Sequence, residues 1–254
     1  MWKKLPKPLS PRELNQMRQN AKVHKKVLDT IREVVKPWMN AWEIDDLAGK
    51  ITRDAGMLCA FRGQYGFPAN ICISVNDVIA HWIPYRDIVF KEWDLVNFDF
   101  WVRDKQLKIN TDSWITLVIW WDDKNPIWAD MIKVTKEALY AGISQARAWN
   151  TVWDIWAAVQ AVVDASDYHI IRDLSGHGIW RSVHEEPYIY NYGKAWTGMK
   201  LKAGMTIAIE PLIWETSGDI YQDSADIIFV ADNSLGCQYE HSILITEWDA
   251  EIII

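Results

Sequence analysis

Two of the six histidines, His177 and His184, stand seven residues apart in the run Gly-His-Gly-Ile-Trp-Arg-Ser-Val-His-Glu-Glu-Pro, residues 176–187. Glycine on each side of His177 predicts a backbone that passes close to another group. Elsewhere, polar residues interrupt apolar runs that read as strands. Asp99 lies in Leu-Val-Asn-Phe-Asp-Phe, Asn110 and Asp112 in Lys-Ile-Asn-Thr-Asp-Ser, Glu210 in Ile-Ala-Ile-Glu-Pro, and Glu240 in Gln-Tyr-Glu-His-Ser. A carboxylate inside an apolar strand is costly unless it is paired or binds a cation. Asp99, His177, Glu210 and Glu240 come from four different predicted elements. Carboxylates with one imidazole form a donor set suited to Mn, Fe or Co, with Zn possible. Bridging carboxylates could hold two ions, and such a site activates water for hydrolysis. His241 follows Glu240 directly, so it points to the opposite face of its strand and is not counted as a ligand. Gly176–Gly178 is no dinucleotide fingerprint, because Trp180-Arg181 replaces the later glycine. No Ser-His-Asp order or activated cysteine is visible.

These residues need a scaffold. Ser10-Pro11-Arg12-Glu13 has the form of a capped helix start, and apolar residues from Leu14 to Val35 follow at helical spacing up to Pro37. Asn40 and Glu43 repeat the cap, predicting a second helix to about Gly56. Strands are predicted at Ile71 to Val75, Val78 to His81, Leu95 to Val102 and Leu107 to Ile119, with a tight turn at Arg103 to Lys105 between the last two. After a linker at Asp122 to Pro126, a third helix runs to about Gln145 and a fourth from Asn150-Thr151 to about Ala165. Strands follow at Tyr168 to Asp173, Thr206 to Ile213, Ala225 to Ala231 and Tyr239 to Thr246. The order helix, helix, strands occurs twice, in halves of about 10–121 and 126–250. The pattern predicts a single α+β domain over 1–254 with one extended antiparallel sheet.

Composition narrows the function. The chain has 254 residues, is half hydrophobic and carries a formal charge of −7, which argues against a general nucleic-acid binder. No apolar run approaches the ~20 residues needed to span a bilayer. The first residues lack the apolar core of a signal peptide. Three cysteines without metal-ligand spacing fit a reducing cytoplasm. One number is abnormal: there are 17 tryptophans against 12 glycines, although glycine alone normally makes up about 7% of a chain. Several tryptophans occupy turn-like contexts that favour glycine, among them Trp38, Trp93, Trp149 and Trp248.

Taken together, the motifs resemble those of the type I methionine aminopeptidases over essentially the whole length. The residues carrying the resemblance are Gly63 to Pro68, Cys72 to Asn76, Ala80 to Pro84, Val96 to Asp99, Ser175 to Pro187, Leu201 to Thr206, Ile209 to Pro211 and Gln238 to His241. The resemblance implies the α+β pita-bread fold, a curved antiparallel sheet flanked by helices in two pseudo-symmetric halves. It implies a cytoplasmic, monomeric enzyme that removes the initiator methionine from nascent chains and peptides, with no membrane or specific nucleic-acid partner. Two divalent ions (Co, Mn, Fe or Zn) and the water they activate would do the chemistry. By the same resemblance Asp99, His177, Glu210 and Glu240 match four of five metal ligands, and Glu210 doubles as proton shuttle. His81 would contact the scissile amide and His184 the developing oxyanion. Phe61, Gln64, Phe67, Cys72, Val183 and Asp226 would surround the methionine side chain.

Three departures stand against this. The family's second aspartate falls eleven residues after the first, where this chain has Asn110. Read about a turn at Asp104-Lys105, Asn110 should face Asp99 across the ladder. Asp112, two residues on, would share that face at ~7–8 Å from Asp99. Either a bulge or a two-residue register shift brings Asp112 into the ligand position, or one metal is weak or lost. The second reading is preferred, since a shift must satisfy the whole ladder, and it supports the alternative of a weakened or inactive peptide-binding scaffold. Gln64, Val183 and Asp226 stand where the family has bulkier aromatic residues, predicting a roomier and more polar pocket. Finally, Trp38, Trp82, Trp93, Trp149, Trp180 and Trp248 stand where relatives have glycine. So many bulky replacements point to a redesigned or altered sequence. An X-Pro-cleaving relative of the same fold is a third reading, disfavoured by the short region before Ser10.

Overall fold

The computed structural model describes residues 8–120, 126–216, 219–223 and 227–254. Most of the predicted linker at Asp122 to Pro126, and Asp226 of the expected pocket, fall outside them. Among the described residues there are four α-helices: α1 (Pro11–Val34), α2 (Ala41–Asp54), α3 (Pro126–Gln145) and α4 (Val152–Val163). The expected caps are present. Ser10 Oγ accepts from the Glu13 amide while the Glu13 carboxylate accepts from the Ser10 amide, and Asn40 and Glu43 do the same for α2. No helix is long and apolar enough to cross a membrane, among the described residues.

Helix α1 shows how the helices seat on the strands. It buries Met17, Ala21, His24, Val27, Leu28 and Ile31 on one stripe, the three-and-four spacing of an amphipathic helix. Asn20 Nδ2 donates to the Ile109 carbonyl at 2.7 Å, and His24 meets the edge of Phe100. Truncating fully buried Ile31 to alanine should cost about 2–5 kcal/mol.

Among the described residues the strands do not form one sheet. They pair into four antiparallel sets, because Pro211 and short turns interrupt the longer predicted runs. In the first set the Leu95–Arg103 strand is flanked by Cys72–Val75 and Asn110–Val118. In the largest, Gly176–Gly178 lies between Glu185–Ile189 and Thr206–Ile209, followed by His241–Ile245 and Ala250–Ile252. Hydroxyls join the two sets. Ser242 Oγ donates to the Asp112 carbonyl and accepts from the Asp112 amide, Ser113 Oγ donates to the Glu240 carbonyl, and the Glu240 amide donates to the Trp114 carbonyl. The seam therefore fixes Asp112 beside Glu240. Glycine on either side of His177 is required by packing: a Cβ on Gly176 would lie 2.3 Å from the Ala208 carbonyl oxygen, and one on Gly178 2.3 Å from that of Glu186.

The register of the first hairpin corrects the sequence expectation. Leu95–Arg103 pairs with Asn110–Val118 so that Asp99 faces Trp114, Trp101 faces Asp112 and Arg103 faces Asn110. The connection is a six-residue loop (104–109) rather than a tight turn. Asp104 makes the longer loop possible, its buried carboxylate accepting from the amides of Gln106, Leu107 and Ile109. Neither expected pairing is adopted: Asp99 faces Trp114, four residues beyond Asn110, and Asp112 reaches Asp99 as a diagonal neighbour on the same face.

Candidate metal centre

The strands bring Asp99, Asp112, His177, Glu210 and Glu240 to one buried point. Asp112, His177 and Glu240 each offer one ligand atom, all within 4.8 Å of one another. His177 Nε2 lies 3.7 Å from Asp112 Oδ2 and 3.5 Å from Glu210 Oε1. Asp99 abuts Asp112, and Asp112 abuts Glu240. Each position has a local cause. Asp99 and Asp112 are diagonal neighbours across the corrected ladder, Glu210 follows the Thr206–Ile209 strand where Pro211 ends it, and Glu240 sits at the seam just before His241–Ile245.

Electrostatics make this cluster unstable alone. Burial first, and then neighbouring negative groups, push all four carboxylates well above their ordinary range. Among the described residues, no lysine or arginine forms a salt bridge with any of the four. Asp99 Oδ1, Asp112 Oδ1 and Glu240 Oε1 are buried without a hydrogen-bond partner, the state a cation relieves. Burial, and then the nearby His184, hold the His177 imidazole down at about 3, so the ring is neutral near pH 7. Its Nδ1 lies 3.1 Å from the Gly178 carbonyl oxygen. A carbonyl only accepts, so Nδ1 carries the proton and Nε2 turns its lone pair toward the carboxylates, the arrangement of a metal-ligating histidine. Gln238 Nε2 donates to Glu210 Oε2 at 2.9 Å, which orients that carboxylate with Oε1 toward His177. The residues fit a divalent metal.

A cavity of about 400 Å³ opens beside this cluster, lined by Phe61, Gln64, Tyr65, Phe67, His81, Trp101, His184 and Gln222 among others. His184 joins it to the carboxylates, its ring packed edge-on against His177 at 4.5 Å and against Trp101 at 5.2 Å. Burial, and then the nearby His81, hold the His184 imidazole down at about 4. His81 adopts a left-handed backbone with φ 65°, which a non-glycine residue holds only under constraint and which is commonest at functional sites.

The structure gathers most of the expected pocket. Phe61, Gln64 and Phe67 line the cavity. Cys72 and Val183 lie behind it in the apolar layer with Phe61 and Trp101. Cys72 faces Asp99 across the ladder, and burial pushes its thiol up to about 11. Trp101 escaped the sequence reading. It stacks on Phe61 at 3.7 Å and adds an aromatic wall beside Gln64. Its signal was present, since Trp101 is two residues from Asp99 and so shares its strand face. Asn110 is the residue the structure does not bring in. Its Oδ1 accepts from Arg103 Nε and its Nδ2 donates to the Trp180 carbonyl, both at 2.9 Å. That amide fastens the hairpin to the loop after His177, while Asp112 occupies the cluster.

Comparison with known proteins gives the family. The family model for metallopeptidase family M24 matches residues 15–247. Methionine aminopeptidase A of Synechocystis sp. is 35% identical over 246 residues, 96% of each chain. Methionine aminopeptidase of Escherichia coli K12 is 30% identical over 96% of this chain and 92% of that one. The crystal structure of methionine aminopeptidase from Rickettsia prowazekii superposes with a TM-score of 0.93 at 31% identity, covering 98% of this chain and 99% of that one. A prolidase from Pyrococcus horikoshii OT3 shares the fold, with a TM-score of 0.76 at 17% identity.

Proposed function

Because the chain belongs to metallopeptidase family M24, and within it to the methionine aminopeptidases, we propose that it removes N-terminal methionine from peptides and nascent proteins at the cluster of Asp99, Asp112, His177, Glu210 and Glu240. The observation that carries this reading is one buried group of four carboxylates and a neutral imidazole that shares His184 with an aromatic cavity. Two divalent ions would offset four carboxylates, and the oxygen-rich donor set favours Mn, Fe or Co over softer metals. When bound, the ions supply a water acidic enough to ionise near neutral pH and a Lewis-acid pull on the scissile carbonyl.

The protein does the rest. Phe61, Phe67 and Trp101 offer aromatic faces to a flexible thioether, which packs well against rings. Glu210, oriented by Gln238, receives the proton released on attack and returns it to the leaving amine. His184 stands between cluster and cavity, where the carbonyl oxygen gathers charge, and donates to it. His81, across the cavity, holds the scissile amide. The scaffold alternative rested on Asn110 in place of a ligand aspartate and on tryptophan at turn positions; Asp112 within the cluster speaks against the first ground. With nascent chains as substrate, the place of action is the cytoplasm, and nothing in the mechanism asks for a second subunit.

Hydrolysis of a methionyl tripeptide tests this. After chelation and dialysis, activity should vanish, then return on adding Mn or Co, and a prolyl-first peptide should remain uncut. Absence of hydrolysis with every divalent metal tried would reject the assignment.

A further inference from the structure

Among the described residues ten non-glycine residues have positive φ, and five of them are tryptophan: Trp38 (74°), Trp93 (74°), Trp120 (58°), Trp149 (78°) and Trp196 (67°). The other five have ordinary reasons. Asn76 and Asn233 are the residue type that tolerates this region, Lys108 closes the loop that Asp104 folds, and Tyr65 and His81 line the cavity. Tryptophan has no such tolerance. Its Cβ meets the carbonyl oxygen, which shifts the folded-to-unfolded ratio against folding by ~5–30-fold per residue.

The backbone cannot relax away from the strain, because it is pinned. The amides of Trp38, Trp93 and Trp149 donate to the carbonyls of Phe90, Ile119 and Leu201, and that of Trp196 donates to Asp154 Oδ1. Nor does packing compensate. Trp38 is 75% exposed, Trp120 58%, Trp149 76% and Trp196 85%. Only Trp93 is half-buried, tilted against Trp128. All five therefore carry the backbone demand of a glycine, and four of them leave the indole largely in water.

We infer that the protein, as made by its own source, has glycine at positions 38, 93, 120, 149 and 196. A single cause accounts for all five: a codon read as tryptophan in this sequence and as glycine in the source. UGA suits this, being read as tryptophan in some codes and one base from the glycine codon GGA. Separate mutations would have to place the bulkiest side chain at five left-handed turns independently. Reassigning the five raises glycine from 12 to about 17, near the ~7% usual for a chain. The inference replaces deliberate redesign as the account of these five tryptophans, and it is independent of the proposed activity.

Peptide mass spectrometry of the protein purified from its source decides the matter. Peptides spanning the five positions should each be lighter by the difference between an indolylmethyl group and a hydrogen, while the peptide holding Trp101, which stacks on Phe61, should keep its tryptophan mass. Tryptophan masses at all five would overturn the inference. A second measurement needs only recombinant protein. The chain carrying Trp38→Gly, Trp93→Gly, Trp120→Gly, Trp149→Gly and Trp196→Gly together should unfold at a higher temperature than the chain with five tryptophans. An equal or lower midpoint would remove the structural ground for it.

Discussion

The carboxylate cluster and the left-handed turns are both places where the chain defies local preference, and they differ in what answers the cost. At Asp99, Asp112, Glu210 and Glu240, carboxyl groups are buried together without a lysine or arginine salt bridge among the described residues. A divalent ion turns that repulsion into affinity. At Trp38, Trp149 and Trp196 the bulk sits in solvent over a backbone that wants glycine, and no ligand or packing answers it. A conflict that converges on one point from several strands belongs to function. A conflict scattered over unrelated turns, always with the same residue, belongs to how the chain is encoded.

The largest expected effect lies in the first region. Glu210→Gln keeps the shape and the Gln238 contact but cannot carry a proton, so kcat on a methionyl peptide should fall ~10²–10⁴-fold. Unchanged turnover at saturating metal would take Glu210 out of the reaction. Next comes stability. An ion bound only by the folded chain, at ~100 times its dissociation constant, adds about 2.7 kcal/mol, so chelation should lower the denaturant midpoint clearly. Equal midpoints with and without chelator would mean that the cluster is not relieved by metal. Trp101→Ala removes the wall stacked on Phe61, and KM should rise ~10-fold or more with kcat changed far less, the pattern of lost substrate grip. A fall confined to kcat would place Trp101 at the reacting atoms instead.

A separate control concerns a buried histidine away from the cluster. Burial first holds His24 down at about 3, whereas an unfolded histidine titrates near 6.5. Below that value the unfolded chain takes up a proton that the folded chain refuses. The stability due to neutral His24 is thus complete above about 6.5 and is lost as pH falls toward 3, by about 1.4 kcal/mol per pH unit. In metal-free protein, His24→Gln should flatten the pH dependence of the unfolding free energy between pH 6 and 4. An unchanged slope would show that His24 is not the group responsible.

Much of this was legible in the residues. Ser10 with Glu13 and Asn40 with Glu43 fixed two helix starts, because capping is local chemistry. Asp99, His177, Glu210 and Glu240 stood out because charge inside an apolar strand is rare, and Gly176 and Gly178 marked the close approach to neighbouring backbone. The hairpin register was not legible by counting from Asp99, because a loop held open by one buried aspartate, Asp104, moves the fold axis and exchanges Asn110 for Asp112. Trp101 was hidden by its type, since an aromatic residue in a strand reads as core. The break at Glu210-Pro211 also needed three dimensions, and it is what gives Glu210 its place at the centre.

The central claim is that Asp112, and not Asn110, completes the metal centre. Metal content per chain, measured after equilibration with Mn and removal of free ion, tests it most directly in two variants. Asn110→Ala should bind as much metal as the parent, because its amide faces Arg103 and the Trp180 carbonyl. Asp112→Asn should lose at least one ion per chain. Full metal in Asp112→Asn together with a deficit in Asn110→Ala would contradict the account.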